Sequence, residues 1–196
     1  SDVCSSDLFL ILLWVLAPYA SSWAYMKSVE LHTSLDPHWL LTDSVSVGLV
    51  PLGQGTPDLY ATFLVDDMPQ LRISLYSYPD DAHAFHDSII WGNFIAMGFG
   101  ERVYIINLVS RQSNELNLGS YFGYMEKHGD ELLIASAERV FCLDSDGKLQ
   151  WQSPQLGIDG VVLHESTEHE IYGAGEWDPP GGWRDFKLSA RSGMLR

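Results

Sequence analysis

Residues 132–144 read LLIASAERVFCLD: an apolar run ending in small residues, a tight turn marked by Glu138, and a second apolar run closing on Leu143-Asp144. Runs this short, bounded by turn residues and lacking helical spacing, predict paired strands. The same arrangement recurs on both sides. Upstream, residues 94–108 read FIAMGFGERVYIINL, with Gly100-Glu101 at the turn. Downstream, residues 170–176 (EIYGAGE) and 184–189 (RDFKLS) make a third copy. Each copy has a strand before it, at 88–91, 123–126 and 160–164, and a short strand after it, at 115–118, 149–152 and 194–196. The period is about 37 to 45 residues, the length of a four-stranded propeller blade. One such sheet cannot bury both its faces alone, so successive copies have to stack. The expected fold class is all-β: a propeller-like stack of about three to four antiparallel four-stranded blades, forming an incomplete or small propeller.

Nearer the N-terminus the pattern is looser. Residues 29–31, 45–50, 60–65 and 71–78 read as strands, and the last two form a hairpin across Asp66-Asp67-Met68-Pro69-Gln70. Proline is expected there because that turn needs no ladder N–H. Alternation puts Leu71, Ile73 and Leu75 on one face and Arg72, Ser74 and Tyr76 on the other. Residues 27–80 supply either a degenerate fourth blade or one end of an open stack. Arg196 falls inside an expected strand, which reads as a sequence that stops short of the blade's end or as closure by an N-terminal strand beside it.

Within the second copy, Asp144-Ser145-Asp146-Gly147-Lys148-Leu149-Gln150-Trp151 joins a strand ending in Leu-Asp to a Gly-Lys turn, with Trp three residues after the Lys. This resembles the blade motif of quinoprotein-type (PQQ-like) β-propellers, one residue shorter between Asp and Gly than the usual form. Leu188-Ser189-Ala190-Arg191-Ser192-Gly193 resembles the same turn with Ser in place of Asp, and Ile106-Asn107-Leu108 is a weaker version. The resemblance covers about residues 87–196. It implies architecture and not activity, since such blades serve enzymes, scaffolds and binders alike. It implies no quinone either: an axial cofactor needs a larger closed ring of blades. No cofactor is expected.

The first eight residues, SDVCSSDL, resemble the translation of a common sequencing-adapter oligonucleotide and are set aside from fold reasoning. Residues 9–25 are an apolar leader, with FLILLWVLA at its centre. It is too short to span a bilayer. It reads either as a truncated signal peptide with a Ser22-Trp23-Ala24 cleavage site, or as upstream sequence ahead of a start at Met26-Lys27. Residues 27–196 are then one β-repeat domain. Without Cys4, Cys142 is its only cysteine, and no intramolecular disulfide is expected. That fits a reducing, cytoplasmic compartment, or export if residues 9–24 are a signal peptide.

Charge excludes some partners. The chain has 26 acidic against 11 basic residues and a formal net charge of −15. Nucleic acid requires a basic face, and so does an anionic membrane surface. A basic protein partner is compatible with this charge.

Two places invite a functional reading. The third copy replaces its tight turn with Trp177-Asp178-Pro179-Pro180-Gly181-Gly182-Trp183. Stiff prolines, permissive glycines and two flat tryptophans, flanked by Glu176 and Arg184, suit a binding loop on a rigid scaffold. The structural alternative is that the tryptophans fold back and cap the sheet edge. The candidate binding residues are Glu176, Trp177, Asp178, Trp183 and Arg184. The second place is Asp80-Asp81-Ala82-His83-Ala84-Phe85-His86-Asp87, where His83, His86 and Asp87 are candidate metal ligands. It lacks a second half with known site spacing, and a solvated turn is the favoured reading. His164-Glu165 and Glu168-His169-Glu170 make a similar polar turn. Catalytic residues are not expected. Cys142 lies mid-strand between Phe141 and Leu143, no Gly-x-Ser-x-Gly elbow occurs, and Gly98-Phe99-Gly100 and Gly173-Ala174-Gly175 lack a phosphate loop's lysine and helix. The expected function is a non-enzymatic protein–protein interaction module, of an immunity or regulatory kind. The alternatives are a metal-dependent enzyme or metal-binding protein built on the Asp80–Asp87 cluster, and a structural fragment of a larger propeller protein.

Overall fold

A computed structural model describes residues 25–53, 55–81, 85–178 and 182–196. The described residues are all-β, and their strands form four small sheets in sequence order. The first holds β1 (Lys27–His32), β2 (Ser44–Gly48), β3 (Leu59–Val65) and β4 (Met68–Tyr76), in the order β1-β3-β4-β2. The second runs β5 (His86–Trp91), β6 (Phe94–Phe99), β7 (Arg102–Asn107) and β8 (Ser113–Asn117) as a simple meander. The third repeats it with β9 (Phe122–His128), β10 (Glu131–Ser136), β11 (Val140–Leu143) and β12 (Leu149–Gln152). The fourth has β13 (Val161–Ser166), β14 (Glu170–Glu176) and β15 (Trp183–Ser189). A short 3-10 turn, Pro37–Leu41, is capped by the Asp36 side chain. No helix among the described residues is long and apolar enough to cross a membrane.

Strand alternation explains why the sheets stack. Ile95 and Met97 of β6 join Leu71, Ile73 and Leu75 of β4 in one buried cluster. The residue between them, Ala96, points the other way and joins Leu132, Ile134 and Phe141 of the third sheet. Leu133 and Cys142 then face Val161, Ile171 and Leu188 of the fourth. Each middle sheet is apolar on both faces, and the three clusters lie between successive sheets. None of them joins the first sheet to the fourth. A fully buried Leu or Ile contributes about 1.5–3 kcal/mol, so each interface outweighs any single turn or ion pair. Close packing also sets glycine positions: a Cβ on Gly98 would stand 2.2 Å from the buried Phe122 ring.

Hydrogen bonds between sheets recur at one repeat length. The Trp91 indole N–H donates to the Asp130 carbonyl and the Trp151 indole N–H to the Ala190 carbonyl, each across 39 residues. Buried indole N–H groups need acceptors, and the repeat supplies one from the next sheet.

Three local expectations need correction. The β3–β4 turn is only Asp66-Asp67, with φ of 50° and 61°, and Met68–Gln70 belong to β4. Positive φ at both central residues is the two-residue hairpin geometry, and Asp tolerates it. Pro69 pairs with Leu64 beside a register shift, and β2 first meets β4 at Arg72, so the missing N–H costs no ladder bond to β2. Secondly, β2 runs parallel to β4, so the first sheet is not the wholly antiparallel one expected of a blade. Thirdly, residues 194–196 form an isolated bridge, Leu188 with Leu195, and not a full fourth strand. Two ladder bonds hold them: the Ser189 N–H to the Met194 carbonyl, 2.8 Å, and the Arg196 N–H to the Lys187 carbonyl, 2.9 Å.

Candidate functional site

The expected binding loop closes the β14–β15 hairpin. Glu176 and Trp183 form its last rung. Beyond them the Trp177 N–H donates to the Gly182 carbonyl and the Gly182 N–H to the Asp178 carbonyl, both 3.0 Å. Pro179, Pro180 and Gly181 lie outside the described residues. The Arg184 guanidinium stands over the Trp177 ring, 5.5 Å from its centroid. Trp177 is half-buried, Asp178 and Arg184 are exposed, and Trp183 is 45% exposed.

Trp183 does more than finish the hairpin. It lines a cavity of about 470 Å³ at the mouth of the interface between the third and fourth sheets. Phe85, Tyr121, Tyr124, Val161 and Asp159 line it with Trp183. The indole lies against Gly160, where a Cβ would be 3.1 Å from its Cη2 atom. The Phe85 and Tyr121 rings are 6.0 Å apart, tilted by 41°. The Tyr121 hydroxyl donates to the Asp159 backbone carbonyl and to Asp159 Oδ1, the latter at 3.1 Å. The Tyr124 hydroxyl accepts the Leu163 N–H. Burial pushes the Tyr121 phenol up to about 12, helped by its bond to Asp159. Burial, helped by the Glu126 charge, pushes the Tyr124 phenol up to about 12, against the bond from Leu163. Both rings are therefore neutral at physiological pH. The arrangement presents aromatic faces and one carboxylate, which is chemistry for stacking and for attracting cations.

The opposite end of the same two sheets is different in kind. A cavity of about 700 Å³ there is lined by polar and charged groups, among them His128, Glu131, Glu168, His169 and Arg191. At its edge Glu170 accepts from Lys187 at 2.8 Å, from Arg196 at 3.1 Å and from the Tyr172 hydroxyl at 2.6 Å. The bonds from Lys187 and Tyr172 hold the Glu170 carboxyl down at about 2.

Of the Asp80–Asp87 stretch, residues 80, 81 and 85–87 are described. His83 lies outside the described residues. His86 opens β5 opposite Phe99, and the Asp87 carboxylate accepts its neighbour's Ser88 N–H at 2.7 Å. Asp81 is taken by Arg102, which also donates to Glu115 at 2.8 Å and covers the Tyr78 ring at 3.6 Å. That cluster straps the chain leaving β4 onto the second sheet. Among the described residues, no three His, Cys, Asp or Glu side chains are grouped to hold one ion. Cys142 is buried, and desolvation raises its thiol well above the usual range.

Of the aromatic cavity, sequence reasoning found Trp183 and missed Phe85, Tyr121, Tyr124 and Asp159. The available signal was the repeat: Tyr121 and Asp159 are 38 residues apart, and Tyr124 and Leu163 are 39. No protein-family model matches the chain, and no curated protein matches it in sequence.

Proposed function

We propose that this chain is a non-enzymatic recognition module whose four sheets act as propeller-like blades and whose Trp183 end binds a basic polypeptide. The observation that carries the reading is the shared cavity of Trp183, Phe85, Tyr121, Tyr124 and Asp159, in a chain of net charge −15. Aromatic anchors held in a pocket are the usual energetic centres of protein interfaces. The acidic surface adds long-range steering of a basic partner.

Three features support the blade arrangement. The second and third sheets are identical meanders. Their first strands lie side by side, with β5 between β1 and β9, as inner strands do around a propeller axis. Bonds between sheets repeat at 39 residues. The quinoprotein-like turn at Asp144–Trp151 agrees with this architecture and adds no chemistry to it.

The test uses the full chain and a fluorescein-labelled basic nonapeptide of repeating Gly-Ser-Arg. Anisotropy in low salt is expected to show saturable binding, weakened at least about tenfold in Trp177→Ala/Trp183→Ala. Added salt is expected to weaken the parent chain's binding as well. Thermal melting establishes that the variant remains folded. A folded variant that binds like the parent, or a parent that does not bind, overturns the reading.

A further inference from the structure

We infer that the cavity beside Trp183 is a socket for an arginine side chain, its guanidinium received by aromatic faces and the Asp159 carboxylate. The inference rests on the recognition reading and names what the partner inserts.

Four observations carry it. The first is the lining. Among the described residues that line it, Phe85, Tyr121, Tyr124 and Trp183 provide four rings, Asp159 provides a carboxylate, and there is no Lys, Arg or His. A site built to stack an uncharged ring has no use for a carboxylate. A site built on charge alone has no use for four rings. A flat cation uses both.

The second is preorganisation. The Tyr121 and Tyr124 hydroxyls are already bonded to Asp159 and to the Leu163 backbone. Their rings are thereby fixed across the interface before any ligand arrives, which lowers the ordering cost of binding. The tie to Tyr121 uses Asp159 Oδ1, and a carboxylate has further lone pairs to offer an incoming donor.

The third is access. Gly160 carries no side chain where one would press on Trp183 at 3.1 Å, and Gly123 also lines the cavity. The glycines keep the mouth open between two sheets that are otherwise packed together.

The fourth lies on the adjoining loop. Arg184 stands 5.5 Å over Trp177, so the chain already makes a guanidinium-on-indole contact at this end. Arginine is favoured over lysine because guanidinium is planar, weakly hydrated and stacks on rings, whereas an ammonium holds its water more tightly.

The experiment uses three labelled nonapeptides that differ only in the repeated residue: arginine, lysine or citrulline. Citrulline keeps arginine's length and flat end while removing its charge. At about 150 mM salt, where surface attraction is screened, the arginine peptide is expected to bind about fivefold tighter than lysine and at least about tenfold tighter than citrulline. Trp183→Ala and Gly160→Val are each expected to lower arginine-peptide affinity about tenfold and to erase its advantage over lysine. Trp183→Phe is expected to restore part of that advantage, which a purely structural role for the ring would not do selectively. Should Trp183→Ala melt early, Gly160→Val gives the same readout with the indole intact.

Equal arginine and lysine affinities, weakened equally by Trp183→Ala, would leave a basic-peptide binder and remove the socket. Citrulline binding as well as arginine would replace the cation with a neutral flat group and overturn the inference. Absence of binding by all three peptides would take the recognition reading with it.

Discussion

The two ends of the third and fourth sheets share one apolar interface and present opposite chemistries. At the charged end, Glu170 is met by Lys187, Arg196 and Tyr172, so opposite charges neutralise each other within the chain. At the aromatic end, Asp159 meets a phenol, and among the described residues no Lys, Arg or His lines the cavity. The charged cavity is the larger, about 700 Å³ against about 470 Å³. Size is therefore a poor guide to which end recognises something. What distinguishes the ends is that Glu170 is paired with cations of its own chain, whereas Asp159 is bonded to a neutral phenol.

The largest effect is expected where the two ends are joined. Leu188 is fully buried between the sheets, and Leu188→Ala should cost about 3 kcal/mol through lost burial and the cavity left behind. Because this cluster lies beneath both ends, arginine-peptide binding and the Glu170 network should weaken together. Denaturant melts checked against peptide anisotropy test this. A variant that loses the stability but keeps both ends at full strength would show that the ends are held independently.

A smaller effect separates the ends. Tyr121→Phe removes the hydroxyl that reaches Asp159 and leaves the ring in place. Losing one hydrogen bond of this kind costs about 1 kcal/mol. Peptide affinity should fall a few-fold as Asp159 is released. The charged end, reported by the pH dependence of melting below pH 5, should not respond. Unchanged affinity would mean that Asp159 is positioned by its own backbone and that the phenol only packs.

The same contrast explains what could be read from the residues. The strands of the second and third sheets were legible because short apolar runs and turn glycines repeat locally at fixed intervals. The loop at 177–183 was legible because it interrupts that rhythm. The parallel pairing of β2 with β4 was not, since the crossover from β2 through residues 49–58 to β3 leaves no turn signature for strand order. Tyr121, Tyr124, Phe85 and Asp159 were hidden for a related reason: each looks ordinary in its own strand or turn, and only the docking of one sheet on the next brings them together. The Glu170 network was equally hidden. Arg196 and Lys187 are separated from it by 26 and 17 positions and reach it through sheet pairing.

The smallest effect belongs to that network. Glu170 has its carboxyl held at about 2 in the folded chain, against an ordinary value of 4.5. A carboxyl depressed on folding adds stability that is fully present above its unfolded value and is lost as pH falls through its folded value. Lys187, raised by the same contact, adds stability below its own unfolded value of 10.5 that is lost at higher pH. The melting temperature should therefore dip between about pH 4.5 and pH 2 and again at strongly alkaline pH, and Glu170→Gln should flatten both limbs. The groups are near the surface, so salt should shrink the effect. Across the neutral range Glu170→Gln should leave arginine-peptide affinity where it was, because the residue is at the far end of the sheets from Trp183. If it lowers that affinity, the two ends are electrostatically coupled, and the aromatic cavity cannot be treated as a site whose charge is set by Asp159 alone.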